Sequence, residues 1–161
     1  MPLKDDKKLV EIYTDGACSG NPGRGGYGVI LCYNGKTKEL SEGFLNTTNN
    51  RMEILAAVTG LESLNQPCRV KLYSDSKYLV DAVCQGWLAK WSKNNWMRTK
   101  TEKAKNADLF KRLLAQLARH EVEFLWVKGH AGHPQNERCD KLATTAIKGE
   151  HLKKDPGFDG I

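Results

Sequence analysis

Two stretches of this chain end on the same three-residue pattern, Tyr13-Thr14-Asp15 and Tyr73-Ser74-Asp75, each after a run that alternates apolar and polar residues. A side-chain period of two reads each stretch as a strand that ends in a carboxylate. Val10, Ile12 and Thr14 then share one face, and Tyr13 and Asp15 the other. If the strands are neighbours, Asp15 lies beside Asp75. Two such carboxylates repel and raise each other's pKa unless a cation or a shared proton compensates. Either aspartate alone also fits a turn at a strand end, where Asp before Gly or Ser is common. The repetition favours a paired site. Glu53 is the first acid of a helical stretch, on a stripe with Ala57, Gly60, Leu61 and Leu64 that places it near a buried edge. An acid that complements the positive end of the helix is the alternative reading. Asp140 flanks the apolar stripe Cys139, Leu142, Ala143 and Ala146 of the last helix.

These four acids offer only oxygen ligands, and no histidine or cysteine is spaced to join them in a soft-metal set. The donor set implies a hard divalent ion, Mg2+ with Mn2+ as a substitute. Such a cluster under a basic groove suits phosphodiester hydrolysis, in which two ions about 4 Å apart activate water and stabilise the leaving oxyanion. His130, between Gly129 and Ala131-Gly132, could move a proton at the scissile phosphate, with an ordinary loop histidine as the alternative. The adjacent His133 is stiffened at a helix entry by Pro134.

Positioning these groups requires an α/β domain. After the first strand, a Gly-rich turn (16–26) leads to a strand from Tyr27, and Asn34-Gly35 joins that strand to Lys36 through Phe44 as a hairpin. The turn lacks the Gly-Lys-Ser/Thr ending of a phosphate-cradling loop and runs into a strand, which excludes a P-loop. Helices are expected over 49–64, 77–88, 107–119 and 135–148, and a fifth strand over 121–128 with Val122, Phe124 and Trp126 on one face. The order is βββαβααβα. It predicts a five-stranded mixed sheet whose first three strands form an antiparallel meander and whose fourth and fifth run parallel to the first. Residues 1–8 read as a flexible start, 9–148 as one catalytic domain, and 149–161 as a loosely ordered tail.

The 161 residues fit one domain, and the formal charge of +6 points to an anionic partner. Between Trp87 and Lys105, six cations face only Glu102 and are interleaved with Trp87, Trp91 and Trp96. Cations with flat aromatics suit a nucleic-acid strand. The five cysteines are scattered and odd in number, the start lacks the apolar core of a signal peptide, and no apolar run spans a bilayer. A cytoplasmic protein with reduced thiols and no membrane partner is expected.

Four pieces together resemble a type 1 ribonuclease H of the bacterial kind: residues 13–23, Thr47 to Glu53, Tyr73 to Ser76, and Trp126 to Asp140. The similarity covers nearly all of residues 8–147. It implies an endoribonuclease that cleaves the RNA strand of RNA/DNA hybrids with Mg2+, leaving a 3′-hydroxyl and a 5′-phosphate, and acting as a monomer. By the same resemblance Asp15, Glu53, Asp75 and Asp140 are metal ligands and His130 is a mobile proton-transfer residue. Asn21, Asn49 and Asn50 would read the minor groove, Thr48 and Asn106 would grip a DNA-strand phosphate, and Trp87 and Trp91 would pack on DNA sugars. None of these contacts requires a particular base, so cleavage nearly independent of sequence is implied.

Overall fold

The computed structural model describes residues 8–128 and 133–158. Its elements are β1 (Lys8–Ser19), β2 (Gly23–Tyr33), β3 (Lys36–Thr47), α1 (Asn49–Glu62), β4 (Cys68–Ser74), α2 (Lys77–Cys84), α3 (Trp87–Lys93), α4 (Ala107–Arg119), β5 (Glu121–Trp126) and α5 (Pro134–Ile147). The sheet order is β3-β2-β1-β4-β5, with β1, β2 and β3 antiparallel and β4 and β5 parallel to β1. This is the expected mixed sheet. The hairpin between β2 and β3 turns on Asn34 (φ 54°) and Gly35 (φ 80°), the pair of positive angles that a two-residue turn matching the strand twist requires.

Alternation along β1 divides the interior as expected. Val10 and Ile12 join the main core with α1, α2 and α4, whereas Tyr13 faces a second cluster with Ile30 and Cys139 of α5. Helices therefore cover both faces. Most of α1 is buried, and its Gly60 lies on Ile12 and Val29. At the other end of the helix, a Cβ on Gly16 would stand 2.6 Å from both the Glu53 nitrogen and the Met52 carbonyl carbon. Only glycine permits that approach, and backbone atoms cannot yield as a flexible side chain can. Gly16→Ala is expected to cost ~1–3 kcal/mol as an overpacked site, read as a lower midpoint in urea unfolding; an unchanged midpoint would contradict the packing.

Three expectations need correction. The helix expected over 77–88 stops at Cys84, because Gly86 takes φ 79° and redirects the chain; Trp87–Lys93 then forms a separate short helix, giving five helices among the described residues. The first strand does not end at Asp15: β1 runs on to Ser19 and β2 already begins at Gly23, so the turn expected over 16–26 shrinks to residues 20–22 and Tyr27 lies within β2. Trp126, at the end of β5, is 48 % exposed, its indole N–H donates to the Asp75 carbonyl at 3.3 Å, and the Lys77 ammonium lies 5.6 Å from its ring centroid. The tail expected to be loose from residue 149 is instead anchored at Lys153, which bridges to Phe44 of β3, and at Asp155, which is buried. Polar composition concealed this, because backbone pairing and a buried ion pair replace the apolar anchor that a sequence pattern would reveal.

Candidate metal centre and nucleic-acid interface

The parallel register of β1 and β4 pairs Tyr13 with Tyr73, whose rings stack at 4.6 Å and 7°. Thr14 Oγ1 donates to the Tyr73 carbonyl at 2.9 Å and fastens β1 to the end of β4. Two residues further on, the chains present Asp15 and Asp75. Glu53 arrives from α1 on one face of the sheet. Ligand oxygens of Asp15, Glu53 and Asp75 all lie within 4.8 Å of one another. Asp140 arrives from α5 on the opposite face, and its charge bears on the Asp15 carboxyl, but it is not among the acids whose ligand oxygens lie within 4.8 Å of one another. The structure thus brings three of the four expected acids into one cluster.

The electrostatics of this cluster are unfavourable for four charges. Burial first, and then the charges of Asp75 and Asp140, push the Asp15 carboxyl up to about 8, with the Gly16 amide opposing. Burial, followed by Asp15 and Asp75, raises Glu53 well above the usual carboxylate range. One backbone donor serves both groups: the Gly16 N–H lies 2.9 Å from Asp15 Oδ1 and 3.1 Å from Glu53 Oε1. Among the described residues no lysine or arginine forms an ion pair with Asp15, Glu53 or Asp75. Among the described residues Asp75 Oδ1 is buried without a hydrogen-bond partner. An orphaned anionic oxygen among buried carboxylates is a site that a hard cation would complete. The residues present therefore fit the divalent ion that their chemistry implies.

Beside the acids lies the surface expected to hold nucleic acid. Asn21, Thr48, Asn50, Arg51, Lys105 and Asn106 line one cavity of about 620 Å³. Thr48 caps α1 by accepting from the Arg51 N–H at 3.2 Å, which leaves its hydroxyl at the cavity edge. Asn49, not among the cavity-lining residues, is exposed, and its backbone N–H donates to Asn21 Oδ1 at 3.0 Å. Asn106 stands in the left-handed region at φ 62° before α4, and its Nδ2 donates to the Tyr78 hydroxyl at 3.2 Å. A neighbouring hollow of about 520 Å³ is lined by Tyr78, Trp87, Lys90, Trp91, Arg98 and Lys105. Trp87 and Trp91 lie 6.2 Å apart and Trp91 packs on Phe110, so each ring is half buried and offers an edge to the groove. Lys105 borders both hollows, making a continuous basic, aromatic-lined surface.

His130 lies outside the described residues. His133 is exposed at the start of α5 and makes no side-chain cap. Sequence reasoning missed Arg51, which is 2 % exposed and binds Asp108, Asp155 and Asn106 together. The one available signal was a cation just inside an apolar helix that has no acid in its first turn.

Residues 7–148 match the family described as RNase H. A ribonuclease H of Rippkaea orientalis is 56 % identical over 157 residues, covering 98 % of this chain and 96 % of that protein. One from Desulforamulus reducens is 59 % identical over 148 residues, covering 92 % and 93 %. Among solved structures, LC9-RNase H1, a type 1 RNase H with the type 2 active-site motif, superposes with a TM-score of 0.82 at 31 % identity, covering 92 % of this chain and 76 % of that one. LC11-RNase H1 in complex with an RNA/DNA hybrid gives 0.67 at 27 % identity, covering 86 % and 96 %.

Proposed function

The chain belongs to the ribonuclease H family, and from that premise we propose that Asp15, Glu53, Asp75 and Asp140 form the centre at which it hydrolyses the RNA strand of RNA/DNA hybrids. The observation that carries this assignment is the convergence of buried acidic oxygens from separate segments within 4.8 Å, with one of them unpartnered. Two Mg2+ ions, or Mn2+ in their place, would be held by these four acids and would supply an activated water and a counter-charge for the leaving oxygen.

The chain's own residues prepare that chemistry. The Gly16 N–H aims the Asp15 and Glu53 carboxylates inward, and the Thr14 bond to β4 keeps Asp15 adjacent to Asp75. Such fixed placement is what in-line attack of water on phosphorus requires, as the P–O3′ bond breaks to leave a 3′-hydroxyl and a 5′-phosphate. His130, which precedes α5 in the sequence, is the candidate to move the proton at the departing oxygen. Asn21, Asn49 and Asn50 are the candidates to read the minor groove, where 2′-hydroxyls distinguish RNA. Thr48 and Asn106 at the larger cavity suit a DNA-strand phosphate, and Trp87 and Trp91 suit its sugars.

We further infer a monomer working in the cytoplasm, a location with which free thiols at all five cysteines agree. Labelled RNA/DNA, RNA/RNA and DNA/DNA duplexes, each incubated with Mg2+ and with chelator, test the assignment. Cleavage confined to the hybrid's RNA strand and abolished by chelator is expected. Equal cleavage of DNA/DNA, or activity that survives chelation, would defeat it.

A further inference from the structure

The family match ends at residue 148, yet the chain beyond it is built into the molecule. The Lys153 amide donates to the Gly43 carbonyl at 2.9 Å, and its carbonyl accepts from the Leu45 N–H at 2.8 Å, so the tail adds one bridge to the edge of β3. That anchor delivers Asp155 to the interior at 4 % exposure. There Arg51 Nε reaches Asp155 Oδ2 at 2.7 Å, Arg51 Nη2 reaches Oδ1 at 3.0 Å, and the Thr47 hydroxyl donates to Oδ2 at 2.7 Å. The outer side of the same guanidinium holds Asp108 at 2.6 and 2.9 Å and Asn106 Oδ1 at 3.3 Å. Asn106 is thereby fixed between Arg51 and the Tyr78 hydroxyl.

The chain then turns, with Phe158 N–H donating to the Asp155 carbonyl at 3.2 Å. Gly157 passes so close over the Arg51–Asp108 pair that an added methyl would overlap both side chains. Gly157 and Phe158 go on to form one wall of the cavity that also presents Thr48, Asn50, Lys105 and Asn106. A segment held only for stability would not need to reach this cavity.

We propose that residues 152–158 are part of the hybrid-binding site. Asp155 is a positioning residue that sets Asn106, through Arg51, for a phosphate of the DNA strand, and Phe158 closes the outer wall beside that phosphate. This rests on the hybrid reading above and adds to it a tail contribution that the matched segment does not contain. The guanidinium is the link: two of its nitrogens bind Asp155, so tilting the carboxylate tilts the fork that holds Asn106.

Three variants test the proposal: Asp155→Asn, Gly157→Ala and Phe158→Ala, the last lying outside the ion network and half buried. Each is assayed for kcat and KM on a short hybrid. Each is also tested by fluorescence anisotropy in chelator against hybrids that carry a single uncharged methylphosphonate linkage, moved stepwise along the DNA strand. Expected is a KM raised ~3–10-fold with kcat within about twofold, the pattern of lost uniform binding. In addition, the one linkage whose neutralisation weakens binding of the unmodified protein should have little further effect in Asp155→Asn. A purely structural tail would not erase sensitivity at a single phosphate. Unchanged KM in Phe158→Ala and Gly157→Ala, or phosphate sensitivity identical to the parent's in a folded Asp155→Asn, would overturn the proposal while leaving hybrid cleavage intact. Failure of the parent protein to cleave any hybrid would instead strike the functional reading beneath it.

Discussion

Asp15→Asn is expected to lower hybrid cleavage by at least ~10³-fold, about 4 kcal/mol of transition-state stabilisation, and at the same time to make the metal-free protein more stable at alkaline pH. Both effects come from the same charge. The Asp15 carboxyl is pushed up to about 8 in the folded protein by burial and by Asp75 and Asp140, against 3.8 as its ordinary value. Below about pH 4 both folded and unfolded chains hold this proton and the residue contributes no pH dependence. Between about 4 and about 8 the folded chain holds more protons than the unfolded one, so stability falls as pH rises, and the full penalty is present above the upper limit. Asparagine keeps an oxygen for the Gly16 N–H but carries no charge. The variant should therefore gain on its parent across this window.

Thermal unfolding in chelator from pH 4 to pH 9 measures that gain. The expected curves coincide near pH 4 and separate by at least ~4 °C at pH 9, the scale on which about 1–2 kcal/mol moves the midpoint of a domain this size. Added Mg2+ should reverse the order, because a cation that binds only the folded acid cluster stabilises the parent by mass action and the variant much less. Parallel curves throughout would mean that Asp15 bears no buried charge penalty, and undiminished cleavage by the variant would remove it from the centre.

How much of this was legible in advance depended on whether a residue's partner lay in a periodic element. That Asp15 and Asp75 lie on neighbouring strands was readable, because the crossover rule makes those strands parallel; that Asp15 sits within β1 rather than at its end was not, since the glycines after it read as a turn. Glu53 and Asp140 were readable as acids beside apolar stripes on helices that must cover the sheet. The hairpin was fixed by its two positive-φ residues, Asn34 and Gly35. The break at Gly86 was missed because an isolated glycine within a helical pattern is usually tolerated, whereas here it takes the left-handed conformation that separates α2 from α3. Alternation placed Trp126 on a face of the fifth strand but could not show that its indole reaches across to bind the Asp75 carbonyl. Arg51 and Asp155 stand 104 residues apart in no shared element, and no local pattern connects them.

That pairing supports the second large expectation: Arg51→Met should destabilise the protein by ~3–5 kcal/mol, the cost of leaving a buried charge without its partner. Asp155 is 4 % exposed, and among the described residues its ion pair is with Arg51. Thr47 supplies one hydrogen bond, too little to replace a guanidinium that donates twice. Asp108 contributes less to the penalty, because its side chain is 46 % exposed and water can take over. Methionine preserves the length and much of the apolar contact of the arginine stem, so the loss reports charge rather than volume. The double variant Arg51→Met/Asp155→Leu should then recover ~2 kcal/mol or more relative to the sum of the single changes, since it removes the orphaned carboxylate as well. Urea unfolding of the parent, the two single variants and the double variant closes this cycle. If the single changes prove additive, or if Arg51→Met costs under about 1 kcal/mol, the ion pair does not hold the tail. If the coupling is present, the ion pair that joins the Lys153 bridge in fastening residues 152–158 to the domain also orients Arg51 toward Asn106, so one guanidinium links the tail to the cavity that Asn106 lines.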